Sequence, residues 1–134
     1  ESCTGGLIGK LITDIPGSSD YFRGSVVPYS NDLKEELLGL PSSILQTEGA
    51  VSDAVARHMA RSVCELTGAS AGLSVTGVAG PGGGTHEKPV GLVFLGLCLG
   101  GRISSRKHLL PGGREIIRLR SALFGLDWLR RKLL

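Results

Sequence analysis

The spacing of apolar positions changes several times along this chain, and each change predicts an element. Leu7, Ile8, Leu11, Ile12 and Ile15 recur at i, i+3 and i+4, which predicts a short helix buried on one side. Pro16-Gly17-Ser18-Ser19 ends it. The run YFRGSVVPY, Tyr21 to Tyr29, is aromatic and β-branched and predicts a strand whose end or edge is marked by Pro28. Ser30 or Asn31 then caps a helix over Asp32 to Leu38, with Asp32 in the first turn, where negative charge is favoured, and Gly39 as its stop.

Pro41 to Gly49 reads as a connecting segment. Ser52-Asp53 opens a further helix with Val55, Met59, Val63 and Leu66 along one face and Gly68 closing it. Leu73 to Thr76 predicts a short strand that runs into Gly77 to Pro89, a glycine-rich stretch with no regular period. Val90 to Leu99 is apolar on both faces, as expected of a strand covered on both sides. Gly100-Gly101 signals a tight hairpin into an antiparallel partner, Arg102 to Leu110. After Pro111-Gly112-Gly113 a long helix is predicted from Arg114 to about Leu133, with Ile116, Leu119, Leu123 and Leu126 buried. Strands and helices alternate, so the fold class is α/β, with helices covering both faces of a mixed sheet.

Composition narrows the possibilities. A chain of 134 residues suits one domain, 1–134, with a real core, and 41% apolar against 20% charged residues is a globular balance. A net charge of +3 with 4% aromatic residues offers little for stacking bases, so nucleic acid is not an expected partner. Cys3, Cys64 and Cys98 form no CxxC pair, and His58, His86 and His108 are equally scattered; neither a disulfide framework nor a metal site is indicated. The longest apolar run, Val90 to Leu99, is too short to cross a bilayer. The expectation is a soluble, cytoplasmic protein with no membrane partner. Glu1 is not an initiator methionine, so the chain is expected to begin inside a longer gene product.

Chemistry concentrates at Glu1-Ser2-Cys3-Thr4-Gly5-Gly6, directly ahead of the first helix. One reading is a nucleophile at a helix start, with first-turn N–H groups available to an oxyanion; the other is that Ser2 and Thr4 simply cap the helix. The Walker pattern is absent, because Thr4 stands where it needs glycine and Leu11 follows Lys10. The Gly77 to Pro89 loop follows a strand, where open α/β sheets bind ligands, but Thr85 occupies the third position of a dinucleotide fingerprint. A phosphate cradle and a long solvated turn both remain open for it. Lys34 shares its helix face with Leu37 and Leu38, which disfavours its charged form unless its tip reaches water. For any lysine to act as a base near neutral pH, its charged form must be disfavoured by about 4 kcal/mol, which takes a desolvated site. Arg114, beside Gly112-Gly113, suits a substrate phosphate; a solvated basic face, continued by Arg118, Arg120, Arg130 and Arg131, is the alternative.

Five motifs occur in order: ESCTGG with Ser2, YSNDLK ending at Lys34, GAVS at Ser52, VTGVAGPGGG from Val75 and EKPVG ending at Gly91. Together they resemble the C-terminal domain of the competence and damage-inducible CinA proteins, whose stand-alone versions are bacterial nicotinamide mononucleotide (NMN) amidohydrolases. The resemblance runs through nearly the whole chain. It implies a three-layer α/β/α sandwich of the anticodon-binding-domain-like type. It also implies hydrolysis of the NMN carboxamide to nicotinate mononucleotide and ammonia, without metal or other cofactor, in a homodimer. It makes Ser2 the nucleophile and Lys34 its base, with Tyr29 and Thr76 as further catalytic positions. The family's arginine at the start of the last helix matches Arg114, or Arg118 one turn later. The loops bearing Thr4, Gly5, Gly6, Gly80, Gly82 and Gly83 are expected to bind substrate. Cys3 is a rival nucleophile by intrinsic reactivity, but the resemblance favours the serine. Family domains carry a helix and a first strand ahead of ESCTGG, so a chain opening at Glu1 is expected to lack an interior strand. The rival reading is a catalytically silent nucleotide-binding or interaction domain of a larger CinA-like protein.

Overall fold

A computed structural model describes all 134 residues. In chain order the elements are α1 (Leu7–Thr13), α2 (Asn31–Leu38), α3 (Ser42–Glu48), α4 (Asp53–Thr67), β1 (Ala71–Gly77), β2 (Leu92–Leu99), β3 (Arg102–Leu109) and α5 (Arg114–Leu133). The sheet order is β1-β2-β3, so the strand read as apolar on both faces is central. Both pairings are antiparallel, with Ser74 opposite Gly96 and Gly96 opposite Ser105. The expected mixed sheet is therefore not seen in these strands. No helix intervenes between β1 and β2 or between β2 and β3, and a parallel neighbour needs such a crossover. Gly100 and Gly101 take φ of 55° and 78°, the left-handed conformation of a two-residue hairpin turn.

Alternation along β1 creates three layers. Ser74 and Thr76 point toward α4 and the turn before it, donating from their hydroxyls to the carbonyls of Ala56 and Ala50. On that face a Cβ at Gly72 or Gly96 would run into the α4 backbone at Ala60 or Ala56, so glycine lets helix and sheet approach closely. Leu73 and Val75 point the other way, under α5, where Gly125 lies against the Leu73 side chain. The main core of Val75, Val93, Leu95, Leu97, Ile117, Ala122 and Trp128 fills this second interface. A smaller cluster of Leu38, Leu40, Val55 and Met59 joins α2 to α4.

Four local expectations are corrected. Tyr21 to Tyr29 is irregular, not a strand; Val26 bonds to the Glu1 backbone nitrogen at 2.8 Å, and most of its alternating side chains face solvent. Pro41 to Gly49 contains α3, because Ile44 and Leu45 pack on the Leu38 cluster. On α5 the buried positions are Ile117, Ser121, Ala122, Gly125 and Trp128, whereas Ile116, Leu119 and Leu123 are exposed. Small residues let the helix lie close on the sheet, and that geometry outweighs the larger apolar stripe. Likewise Ile15 lies beyond the end of α1 and is exposed, as are Leu37 on α2 and Leu66 on α4. No helix is long and apolar enough to cross a membrane.

Candidate active site at the Ser2 turn

Glu1 to Gly6 forms a compact turn docked on the outer edge of β1, where the Ser2 N–H donates to the Val75 carbonyl at 2.9 Å. Gly5 and Gly6 take φ of 58° and 98°, conformations that a side chain would resist. The Glu1 carboxylate is buried inside the turn and accepts from Thr4 Oγ1 at 2.8 Å and from the first-turn N–H groups of Ile8 and Gly9 at 2.9 and 2.8 Å. Burial raises its pKa, but the bonds from Gly9, Ile8 and Thr4 outweigh that and hold it below the usual carboxylate range. These contacts correct the expectation that the α1 first turn faces the nucleophile with free donors: Ile8 and Gly9 are already occupied. Neither Ser2 nor Thr4 caps α1, whose N-cap is Gly6 with no side-chain bond. The backbone N–H of Thr4 has no acceptor, whereas that of Cys3 meets no backbone carbonyl and lies against its own thiol.

Lys34 arrives from α2. Ser30 caps that helix, accepting from Leu33 N at 3.2 Å, and Lys34 projects inward one turn later. It is 1% exposed. Its Nζ lies 3.1 Å from Ser2 Oγ, 2.9 Å from the Pro28 carbonyl and 3.3 Å from the Tyr29 carbonyl. No carboxylate pairs with it. Burial without a counter-charge pushes its pKa down. A Cys3 thiolate would oppose this, but burial pushes the Cys3 thiol up to about 11, leaving it uncharged near neutral pH. As an ammonium Nζ donates to all three oxygens; as a neutral amine it has two N–H groups for the carbonyls and a lone pair for the Ser2 hydroxyl.

Around this pair lies a cavity of about 260 Å³, lined by Ser2, Cys3, Tyr29, Lys34, Thr76 and Arg114 among others. Arg114, at the first position of α5, donates to the Gly80 carbonyl at 2.8 Å and to the Tyr29 hydroxyl at 3.3 Å. Of the other expected residues, Thr4 is fully buried beside Glu1, while Gly5 and Gly6 belong to the turn without lining the cavity. Gly80 contributes its carbonyl to Arg114, and Gly82 and Gly83 are exposed outside the lining. Arg118 does not line the cavity; it grips the turn from behind, as described below. Sequence reasoning missed Asn31, Ala50, Val51, Gly77 and Ala79, which also line it. Each lies within or next to a motif already recognised, so that proximity was the available signal. A second, larger groove of about 690 Å³ is mainly apolar, and neither Ser2 nor Lys34 lines it; both line the smaller cavity.

The profile of the family described as "CinA C-terminal domain" matches residues 1–133. The chain belongs to that family. A CinA-like protein of Geobacter sulfurreducens is 51% identical over the whole chain, and one of Dictyoglomus thermophilum is 48% identical. The chain spans about a third of the length of these curated relatives, 32% and 33%. Among solved structures, the competence/damage inducible protein CihA of Agrobacterium tumefaciens superposes with a TM-score of 0.94 at 41% identity, covering 97% of this chain and 80% of that one. The competence damage-inducible protein A of Klebsiella pneumoniae gives 0.95 at 27% identity, covering 98% and 82%. This CinA domain thus shares its three-layer arrangement with structures whose sequences have diverged considerably.

Proposed function

We propose that this domain is an amidohydrolase that cleaves the carboxamide of nicotinamide mononucleotide. The observation that carries the reading is the 3.1 Å contact between Ser2 Oγ and a buried Lys34 with no acidic partner. Lys34 takes the Ser2 proton as Oγ attacks the carboxamide carbon. The resulting ammonium returns that proton to the departing nitrogen, which leaves as ammonia. The nicotinoyl ester on Ser2 is then attacked by water, whose proton passes to Lys34 and on to Ser2 Oγ as nicotinate mononucleotide departs. The unpartnered Thr4 N–H, and that of Cys3, which meets no backbone carbonyl, lie close to Ser2 along the chain and are the nearest backbone candidates to steady the oxyanion. Arg114 supplies the cation for the phosphate, and the cavity lining contains no carboxylate to repel it.

The test is ammonia release from NMN, nicotinamide riboside and nicotinamide. Turnover of NMN, with the riboside impaired mainly in KM, supports the reading. Saturable binding of NMN with no ammonia released replaces hydrolysis with a silent nucleotide-binding domain.

A further inference from the structure

Arg118 supports the Ser2 turn from behind. Its Nε donates to the Cys3 carbonyl and its Nη2 to the Thr4 carbonyl, both at 3.0 Å. These are consecutive peptides of a turn that contributes little regular structure of its own. The guanidinium fork fits two adjacent carbonyls as it fits a carboxylate, with two fixed donors in one plane. The turn backs closely onto it: a Cβ at Gly5 would stand 3.3 Å from Nη2.

The peptide geometry carries this contact forward. The Cys3–Thr4 bond is trans, since the only cis bond is Gly80-Pro81, so the Thr4 N–H points opposite to the Cys3 carbonyl, away from Arg118. That N–H has no acceptor. In the next peptide the Thr4 carbonyl faces Arg118 while the Gly5 N–H donates to the Ser2 carbonyl at 3.0 Å. A cation on the carbonyl side polarises both peptides and strengthens their N–H groups as donors.

We infer that Arg118 is a positioning residue, which fixes the Cys3–Thr4 main chain and thereby the placement of Ser2 Oγ and of the N–H groups beside it, and that it is not a ligand of the substrate phosphate. This rests on Ser2 being the nucleophile, but not on the substrate being NMN. It also divides the labour between two arginines one turn apart: Arg114 lines the cavity and Arg118 holds its wall.

The test uses the full chain with Arg118→Met, Arg118→Lys and Arg118→Ala, each checked by thermal melting. Ser2 reactivity is read as the rate of labelling by a fluorophosphonate, which requires an activated serine but no particular natural substrate. Kinetic constants are then measured for NMN and for its riboside. A displacement of the turn by about 1 Å costs on the order of 100-fold in rate. Arg118→Met is therefore expected to slow labelling and kcat by about 10- to 100-fold, equally for both substrates, with KM changed less than about twofold. Arg118→Lys falls between, and added guanidinium restores part of the Arg118→Ala loss. Loss confined to the phosphorylated substrate makes Arg118 a phosphate ligand and overturns the inference, as does unchanged labelling. Collapse of the fold in all three variants makes Arg118 structural only, with the same consequence. Wild-type labelling at Ser2 without ammonia release sinks the amidohydrolase reading, while the variants still decide the role of Arg118. No labelling of wild type shows Ser2 is not activated and overturns both.

Discussion

Replacing Lys34 by arginine keeps a positive charge beside Ser2 and removes the ability to accept its proton. A guanidinium stays protonated at any usable pH, whereas the Lys34 amine is buried, unpaired with any carboxylate and depressed in pKa by that burial. A positioned general base contributes about 10² to 10⁴ in rate, or roughly 3 to 5.5 kcal/mol at the barrier. Both Lys34→Arg and Lys34→Met should lose that amount in kcat. Nζ already sits between Ser2 Oγ and the carbonyls of Pro28 and Tyr29, so the larger guanidinium also overpacks the site by about 1–3 kcal/mol. Thermal melting separates that stability loss from the loss of chemistry. The assay is ammonia release from NMN at steady state across pH. Wild-type kcat/KM should rise with pH through a value below the ordinary lysine range as the amine loses its proton, and both variants should lack this limb. Near-normal kcat in Lys34→Arg, or survival of the limb in either variant, would refute the general-base role.

Ser2→Ala should abolish turnover while Cys3→Ala keeps most of it, because the Cys3 thiol is pushed up to about 11 and is mostly protonated; the reverse ranking in the ammonia assay moves the chemistry to sulfur. Arg114→Met should raise KM for NMN about tenfold or more and leave the riboside nearly unaffected, whereas equal effects on both would remove its phosphate role. Gly72→Ala and Gly96→Ala should each destabilise the fold by about 1–3 kcal/mol in urea melts, since the new Cβ meets the α4 backbone; a neutral result would mean that the helix can lift from the sheet. Because the folded pKa of Lys34 is depressed, the unfolded chain binds more protons between that value and the ordinary lysine value. Wild-type stability relative to Lys34→Met should therefore rise with pH through that window and be lowest below it, and urea melts with no pH-dependent difference would contradict this.

The helices and β-strands were legible where local chemistry and tertiary demand agree. Ser30 and Ser52 cap α2 and α4, Gly39 and Gly68 close them in the left-handed conformation, and Gly100-Gly101 reverses the chain between β2 and β3. The failures come where packing overrides pattern. Tyr21 to Tyr29 has strand composition but no strand partner, so its backbone bonds to Glu1 instead. On α5, Ile116, Leu119 and Leu123 outrank Ser121, Ala122 and Gly125 in hydrophobicity, yet close approach to Leu73 selects the small residues. At the site, the motifs and the start of α5 bring Ser2, Tyr29, Lys34, Thr76 and Arg114 to one cavity; the resemblance implied roles for Ser2 and Lys34 but left open which arginine enters it. Nothing in linear order says that Glu1 takes the α1 donors or that Arg118, not Arg114, reaches the Cys3 carbonyl. Those facts depend on which side of a six-residue turn each partner approaches.

The location of the one buried acid bears directly on the role proposed for Lys34. Glu1 immediately precedes Ser2, the proposed nucleophile, and a carboxylate there could pair with Lys34 and hold it as an ammonium, unfit for the proposed role of base. Instead both its oxygens are engaged by Ile8, Gly9, Thr4 and Ser25. Its negative charge thus serves the start of α1, where the helix dipole favours it. The opposite side of the same turn meets the permanent cation of Arg118 through two carbonyls. Glu1 and Arg118 therefore address main-chain donors and main-chain acceptors respectively, and Lys34 is left with carbonyls and one hydroxyl. The turn can be held by charge on two faces while the amine that would shed a proton in the proposed reaction faces no carboxylate. Moving either charge onto Lys34's side of the turn would alter the base before it altered the fold.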